Sequence, residues 1–173
     1  MKLMFRTTDR LLGRIHSDLS RTHPYAAERV GFVACGVSAL EPDGLAIYAA
    51  SYHPVDDEDY VDDPSVGAML GAAAFRKALQ LAYNRSASIF HVHRHDHRGK
   101  PRPSRVDEAE SRRFIPDFWK VCPDRPHGTI ILSLTDAYGA VWLPGCKKIR
   151  PLDSFIVVGD AAVTVRSGID EWA

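Results

Sequence analysis

The chain has 173 residues, carries 22 basic and 22 acidic side chains for a formal net charge of zero, and is 45% hydrophobic. That length fits one domain with one substantial core, and the balanced charge leaves no global footprint for nucleic acid. No apolar run approaches the roughly 20 residues that span a bilayer, and the opening MKLMFRTTDR lacks the apolar stretch of a secretory signal.

The elements follow in chain order. Residues 8–21 place Leu11, Leu12, Ile15 and Leu19 on one helical face, with Thr8 or Asp9 as the cap. RVGFVACGVSAL (29–40) reads as a buried strand, and GLAIYAASYHP (44–54), after the turn EPDG, pairs with it as a hairpin. DDEDYVDD (56–63) is an acidic loop. The Ala/Leu-rich segment 64–85 predicts a helix with Pro64 at its start. ASIFHVH (87–93) predicts a short strand, and a basic, proline-broken loop leads to a helix over 104–120, bent near Pro116. Strands over 128–135 and 137–144 pair, and 153–166 predicts a last hairpin around Gly159-Asp160. The order implies a mixed sheet with helices packed on it. The cysteines, Cys35, Cys122 and Cys146, are odd in number and form no C-x-x-C pair. They read as free thiols of a reducing compartment, so the expected location is the cytoplasm.

Half of the eight histidines lie in HVHRHDH, residues 91–97. Side chains two apart on a strand share a face, so His91 and His93 at a strand end point the same way. That arrangement lets two imidazoles grip one metal ion. SRVD (104–107) offers Asp107 as a third ligand. It also reads as a capping box, with Ser104 as N-cap, and both roles can coexist. His95 and His97 sit among basic residues and read as part of a solvated loop. Glu28, just before the first strand, reads on its own as a solvated strand end.

Taken in order, Glu28, then His91-x-His93, then Ser104-x-x-Asp107, the chain resembles the JAB/MPN-domain metalloproteases that carry the JAMM motif, in their prokaryotic branch. Glu28 with Gly31 matches the E-x-x-G entry, HVH the H-x-H, and SRVD the S-x-x-D; the resemblance runs from the opening helix to about residue 144. Two features depart from the pattern. Ten residues, 94–103, separate His93 from Ser104, longer than usual, and the family's His-Ser-His-Pro is here His-Val-His-Arg. Counting from His95 leaves eight residues, closer to the usual spacing. SIF running directly into His91 favours His91 and His93, with an insertion in the loop; His93 and His95 stand as the alternative pair. Other metal hydrolases fit less well. Metallo-β-lactamases want an aspartate where His95 stands, and zinc deaminases want P-C-x-x-C, whereas Cys122 has no cysteine partner.

The resemblance implies a single mixed α+β (α/β) domain over 1–173, with a cytidine-deaminase-like mixed sheet between helices. It implies one catalytic Zn2+ held by His91, His93 and Asp107, with water in the fourth position. Glu28 would shuttle the water's proton to the leaving amine, and Ser104 would hydrogen-bond the oxyanion. The implied reaction is hydrolysis of the isopeptide or peptide bond after the C-terminal tail of a ubiquitin-like protein, as deconjugation or precursor processing. The implied setting is a bacterial, anti-phage (antiviral) conjugation system with its activating and conjugating enzymes. Processing of a sulfur-carrier protein and a catalytically silent scaffold are the competing expectations. No membrane or nucleic-acid partner is expected. The acidic run 56–63 reads either as a solvated loop or as a contact for an Arg-bearing tail.

Overall fold

The computed structural model describes residues 1–146 and 148–159, together with the backbone of 163–165. The chain opens with a strand, β1 (Lys2–Thr8), where no element was expected. Its alternation buries Leu3, Phe5 and Thr7 on one face. Thr8 then caps α1 (Asp9–Leu19) by accepting the Leu11 N–H at 3.1 Å. Leu11, Ile15 and Leu19 are the helix's buried stripe, as the 3.6-residue period predicts.

The expected hairpin is present as β2 (Val30–Leu40) and β3 (Gly44–Pro54), antiparallel, with a register shift between Ala34 and Cys35. A single 3-10 turn, Asp57–Asp59, and a small antiparallel pair, β4 (Tyr60–Val61) with β5 (Met69–Leu70), follow. α2 covers Ala72–Arg85 and starts eight residues later than expected. Pro64 therefore does not open the helix. Gly71 is the N-cap residue, its N–H donating to Asp59 O at 2.8 Å, and the preceding segment is held in the β4–β5 pair.

β6 (Ser88–Arg94) carries the first histidines, and α3 (Arg105–Val121) continues through Pro116 to Val121. β7 (His127–Leu132), β8 (Ala137–Trp142), β9 (Ile149–Pro151), β10 (Ser154–Val158) and β11 (Val163–Val165) complete the chain. β10 and β11 form the expected hairpin; its turn residues 160–162 lie outside the described residues.

Nine strands make one sheet in the order β11-β10-β1-β3-β2-β6-β7-β8-β9. It is mixed: β1 runs parallel to both β3 and β10, and β6 parallel to β7, while the other pairs are antiparallel. Alternation divides the core into two layers. Val33, Phe90, Val92 and Phe5 pack with α1 on one face. Phe32, Ala34 and Ile89 pack with Ala78 and Ala82 of α2 and with Phe114 and Phe118 of α3 on the other. The result is a mixed α/β domain with its sheet between helices. Among the described residues, no helix is long and apolar enough to cross a membrane. All three cysteines are free, with Cys35 and Cys122 buried.

His127 ties the second layer together. It is fully buried, its Nδ1 accepts the Ile89 N–H at 3.0 Å, and its Nε2 lies 3.3 Å from Cys122 O. Those two bonds set the tautomer: the proton is on Nε2. The ring stacks on Phe118 with centroids 5.2 Å apart, and burial pulls its pKa down to about 4. This is a neutral structural histidine.

Candidate metal centre

Glu28, His93 and His95 converge, with one potential ligand atom from each lying within 4.8 Å of the others. Asp107 completes the cluster. Its Oδ1 is 3.3 Å from His93 Nε2 and its Oδ2 is 3.8 Å from His95 Nε2, while the two imidazole Nε2 atoms stand 3.2 Å apart. For bonds of about 2.0–2.1 Å to a tetrahedral ion, the edge between two ligand atoms is about 3.3 Å. The His93–His95 and His93–Asp107 separations match that edge, while His95 is farther from the carboxylate and nearest its other oxygen; the donor set, two imidazoles and a carboxylate, is chemistry that zinc selects.

The fold explains the convergence. β2 and β6 are antiparallel with Val30 opposite His93 and Phe32 opposite His91. Continuing that register past the strand ends sets Glu28 opposite His95. His91, His93 and His95 share a face by pleat alternation, the face covered by α3. Asp107 enters from the first turn of that helix. Ser104 Oγ accepts the Asp107 N–H at 3.1 Å, and Asp107 Oδ2 accepts the Ser104 N–H at 2.7 Å. The expected capping box is therefore present, and it holds the carboxylate toward the histidines. The Ser104 hydroxyl proton is not used by this bond and remains available to donate.

The histidine pair is shifted from the expected one. His91 adjoins the cluster, its ring 5.5 Å from that of His93, but it is not in the convergent group and packs against Phe114 at 5.2 Å and Phe32 at 5.8 Å. The groups that converge fall one alternation further on, at His93 and His95, the alternative pair, whose spacing to Ser104 is closer to that of the JAMM motif. The reason is that β6 runs on to Arg94, so the strand end lies past His93. The His95 N–H, donating to Leu132 O at 2.9 Å, then fixes the next residue against β7. Burial lowers the pKa of His91 to about 3 and of His93 to about 4, so both rings are neutral and able to offer a lone pair. His93 Nδ1 is buried without a hydrogen-bond partner, so that ring meets polar atoms only through Nε2, in the cluster.

Glu28 is no solvated strand end. Its pKa is raised, first by burial; Asp107 and Asp96 push the same way while His95 opposes them. Its N–H donates to Gly67 O at 3.0 Å, and a Cβ on Gly67 would stand 3.2 Å from Glu28 Cδ and 3.3 Å from Oε2. The segment before α2 therefore lies directly against the carboxylate. From the other side, buried Arg29 sews the loop down: it donates to Arg21 O at 3.0 Å, Thr22 O at 2.9 Å and Asp57 Oδ1 at 2.7 Å. Gly31, the family-pattern glycine, has a different reason to lack a side chain. The Tyr52 ring crosses it, and a Cβ would meet Tyr52 Cε2 at 2.3 Å.

The acidic run has a structural role at three positions. Asp57 holds Arg29, and Asp56 and Asp59 both hold Lys77, at 2.7 and 2.6 Å. His97 lies beside the cluster, its ring centroid 5.9 Å from that of His95.

In comparisons with known proteins, no family model matches the chain and no curated protein matches it. The functional reading therefore rests on the residues and their geometry.

Proposed function

We propose that the protein is a zinc-dependent peptidase or isopeptidase of the JAB/MPN type, cleaving after the C-terminal tail of a ubiquitin-like protein. The observation that carries this reading is the convergence of His93, His95 and Asp107, with nitrogen–nitrogen and nitrogen–oxygen separations of 3.2, 3.3 and 3.8 Å and Glu28 beside them. His93, His95 and Asp107 would hold the ion. When bound, zinc would supply Lewis acidity and bring the pKa of water toward about 7.

The remaining work belongs to the chain. Glu28 accepts a proton from the attacking water and returns it to the departing amine; its raised pKa moves it toward the range of a useful general base. The Ser104 hydroxyl, anchored by its own cap bond, donates to the oxygen that gains negative charge. Burial of His93 and the seating of Glu28 against Gly67 keep bulk water from competing at these groups. The substrate class comes from the resemblance of the ordered motif, and the bacterial conjugation setting with its activating and conjugating enzymes comes with it.

The test uses a ubiquitin-like protein fused through its tail to a reporter. The wild-type protein is expected to release the reporter, and chelator is expected to stop it. Glu28→Gln should keep zinc and lose about 10²-fold or more in rate. Cleavage that continues in chelator would refute the proposal.

A further inference from the structure

The segment joining His95 and Asp107 is a largely exposed loop, as expected, but its backbone is braced against the turn between β7 and β8. The His97 N–H donates to His95 O, the Leu134 N–H to His97 O, and the Gly99 N–H to Thr135 Oγ1, each at 2.9 Å. Pro101 is buried. Residues 94–107 hold five basic and two acidic side chains in a chain that is neutral overall. Arg94 is paired with Asp96 at 2.6 Å, and Asp107 belongs to the metal cluster. Arg98, Lys100, Arg102 and Arg105 are exposed. Arg98, Arg102 and Arg105 have no ion-pair partner among the described residues, as is true of other surface arginines such as Arg10 and Arg76, but these three fall within eight residues of one another beside the metal cluster. Two large exposed aliphatic residues lie close by in the backbone: Leu134, whose N–H donates to His97 O next to Arg98, is 52% exposed, and Val106, which follows Arg105, is 54% exposed.

The geometry points to a docking surface for an acidic polypeptide segment carrying an apolar side chain, formed by Arg98, Arg102, Arg105, Val106 and Leu134 at the rim of the metal centre. It rests on the proposed hydrolase reading, since it assigns to that site a preference for acidic sequence next to the bond cut. Uncompensated guanidiniums select carboxylates because each offers a planar pair of donors. The exposed aliphatics and the absence of any Phe, Tyr or Trp from 94–107 favour a peptide over a nucleic acid strand, which would use aromatic side chains for stacking.

Fluorescence anisotropy on the full-length protein, in low salt with chelator present, tests the surface apart from catalysis. The probe is a labelled Glu-Glu-Leu-Glu-Glu peptide; the comparison probes carry Lys in place of Glu or Ser in place of Leu, or are a short single-stranded DNA of equal charge. The acidic peptide is expected to bind at least about tenfold more tightly than its lysine counterpart and to weaken as salt rises. Arg98→Ser/Arg102→Ser/Arg105→Ser is expected to lose about tenfold in affinity. Leu134→Ser is expected to abolish the preference for the leucine-bearing peptide. Equal binding by wild type and the triple variant would overturn the proposal. So would tighter binding of the DNA that is unaffected by Leu134→Ser. Peptide binding without any reporter cleavage would count against the hydrolase reading alone, and cleavage without peptide selectivity against the surface alone.

Discussion

Asp107 does two jobs with one carboxylate, and substitution separates them. Oδ2 accepts the Ser104 N–H at 2.7 Å, and Oδ1 faces His93 Nε2 at 3.3 Å. In chelated protein, Asp107→Ala removes one capping bond and should cost about 1 kcal/mol. For a domain of this size that is about 2–4 °C in Tm. Ser104→Ala removes the reciprocal bond, so in chelator it should fall by a similar amount. The two diverge when zinc is added. Zinc at about 100 times its Kd stabilises the wild type by about 2.7 kcal/mol, or about 5–11 °C. Ser104→Ala keeps three ligands and should keep most of that rise; Asp107→Ala should lose it. Scanning fluorimetry of wild type and both variants, with and without zinc, reads these shifts. A full zinc-dependent rise in Asp107→Ala would refute the assignment of that carboxylate to the metal.

Acid should destabilise the chelated protein through His127. Its pKa of about 4 in the fold lies below the ordinary 6.5, so the unfolded chain binds the proton more tightly. The stabilisation is complete above about 6.5 and is lost as pH falls toward 4. At pH 5 the loss is about 2 kcal/mol from this residue, with His91 and His93 acting in the same direction in the metal-free protein. Urea titrations at pH 7 and 5 check this, and a midpoint that does not move would contradict the neutral assignment. Gly67→Ala places a Cβ 3.2 Å from Glu28 Cδ and shifts the carboxylate by a few tenths of an ångström. Zinc content should stay at the wild-type level while reporter release falls about fivefold, a fraction of the hundredfold cost of a misplacement near 1 Å. Unchanged release would remove Gly67 from the site. Arg29→Met leaves Thr22 O and Arg21 O without their donor and removes the 2.7 Å partner of Asp57. It should destabilise the fold by about 2 kcal/mol, the cost of leaving backbone acceptors without their donor, and a Tm within 2 °C of wild type would contradict that role.

Periodic elements were legible in the sequence. The stripe Leu11, Ile15, Leu19, the β2–β3 hairpin and the Ser104 capping box each carry a local pattern with one good reading. β1 was not legible as such, because a seven-residue alternation gains its strand identity from β3 and β10 on either side, which are remote in sequence. The late start of α2 has the same origin. Pro64 and the alanines suit a helix locally, but Met69–Leu70 is bound to Tyr60–Val61, and Gly67 is needed flat against Glu28.

The site was legible as a set of residues and ambiguous in register. His91, His93 and His95 all satisfy the two-residue period, so alternation cannot choose among them. The choice is made across the sheet, where Val30 opposite His93 brings Glu28 level with His95. The one local signal for it was the eight-residue spacing from His95 to Ser104. Likewise, the use of Asp56, Asp57 and Asp59 to hold Lys77 and Arg29 depends on pairings 18 to 28 residues apart, which an acidic run does not announce.

In the proposed site His93, His95 and Asp107 hold one zinc ion and His91 does not. Zinc per chain, measured by mass spectrometry on wild type, His95→Ala and His91→Ala after identical zinc loading and desalting, tests this assignment most directly. Stoichiometric zinc is expected in wild type and His91→Ala, and little in His95→Ala. Zinc retained by His95→Ala and lost by His91→Ala, or absent from the wild type, would contradict it.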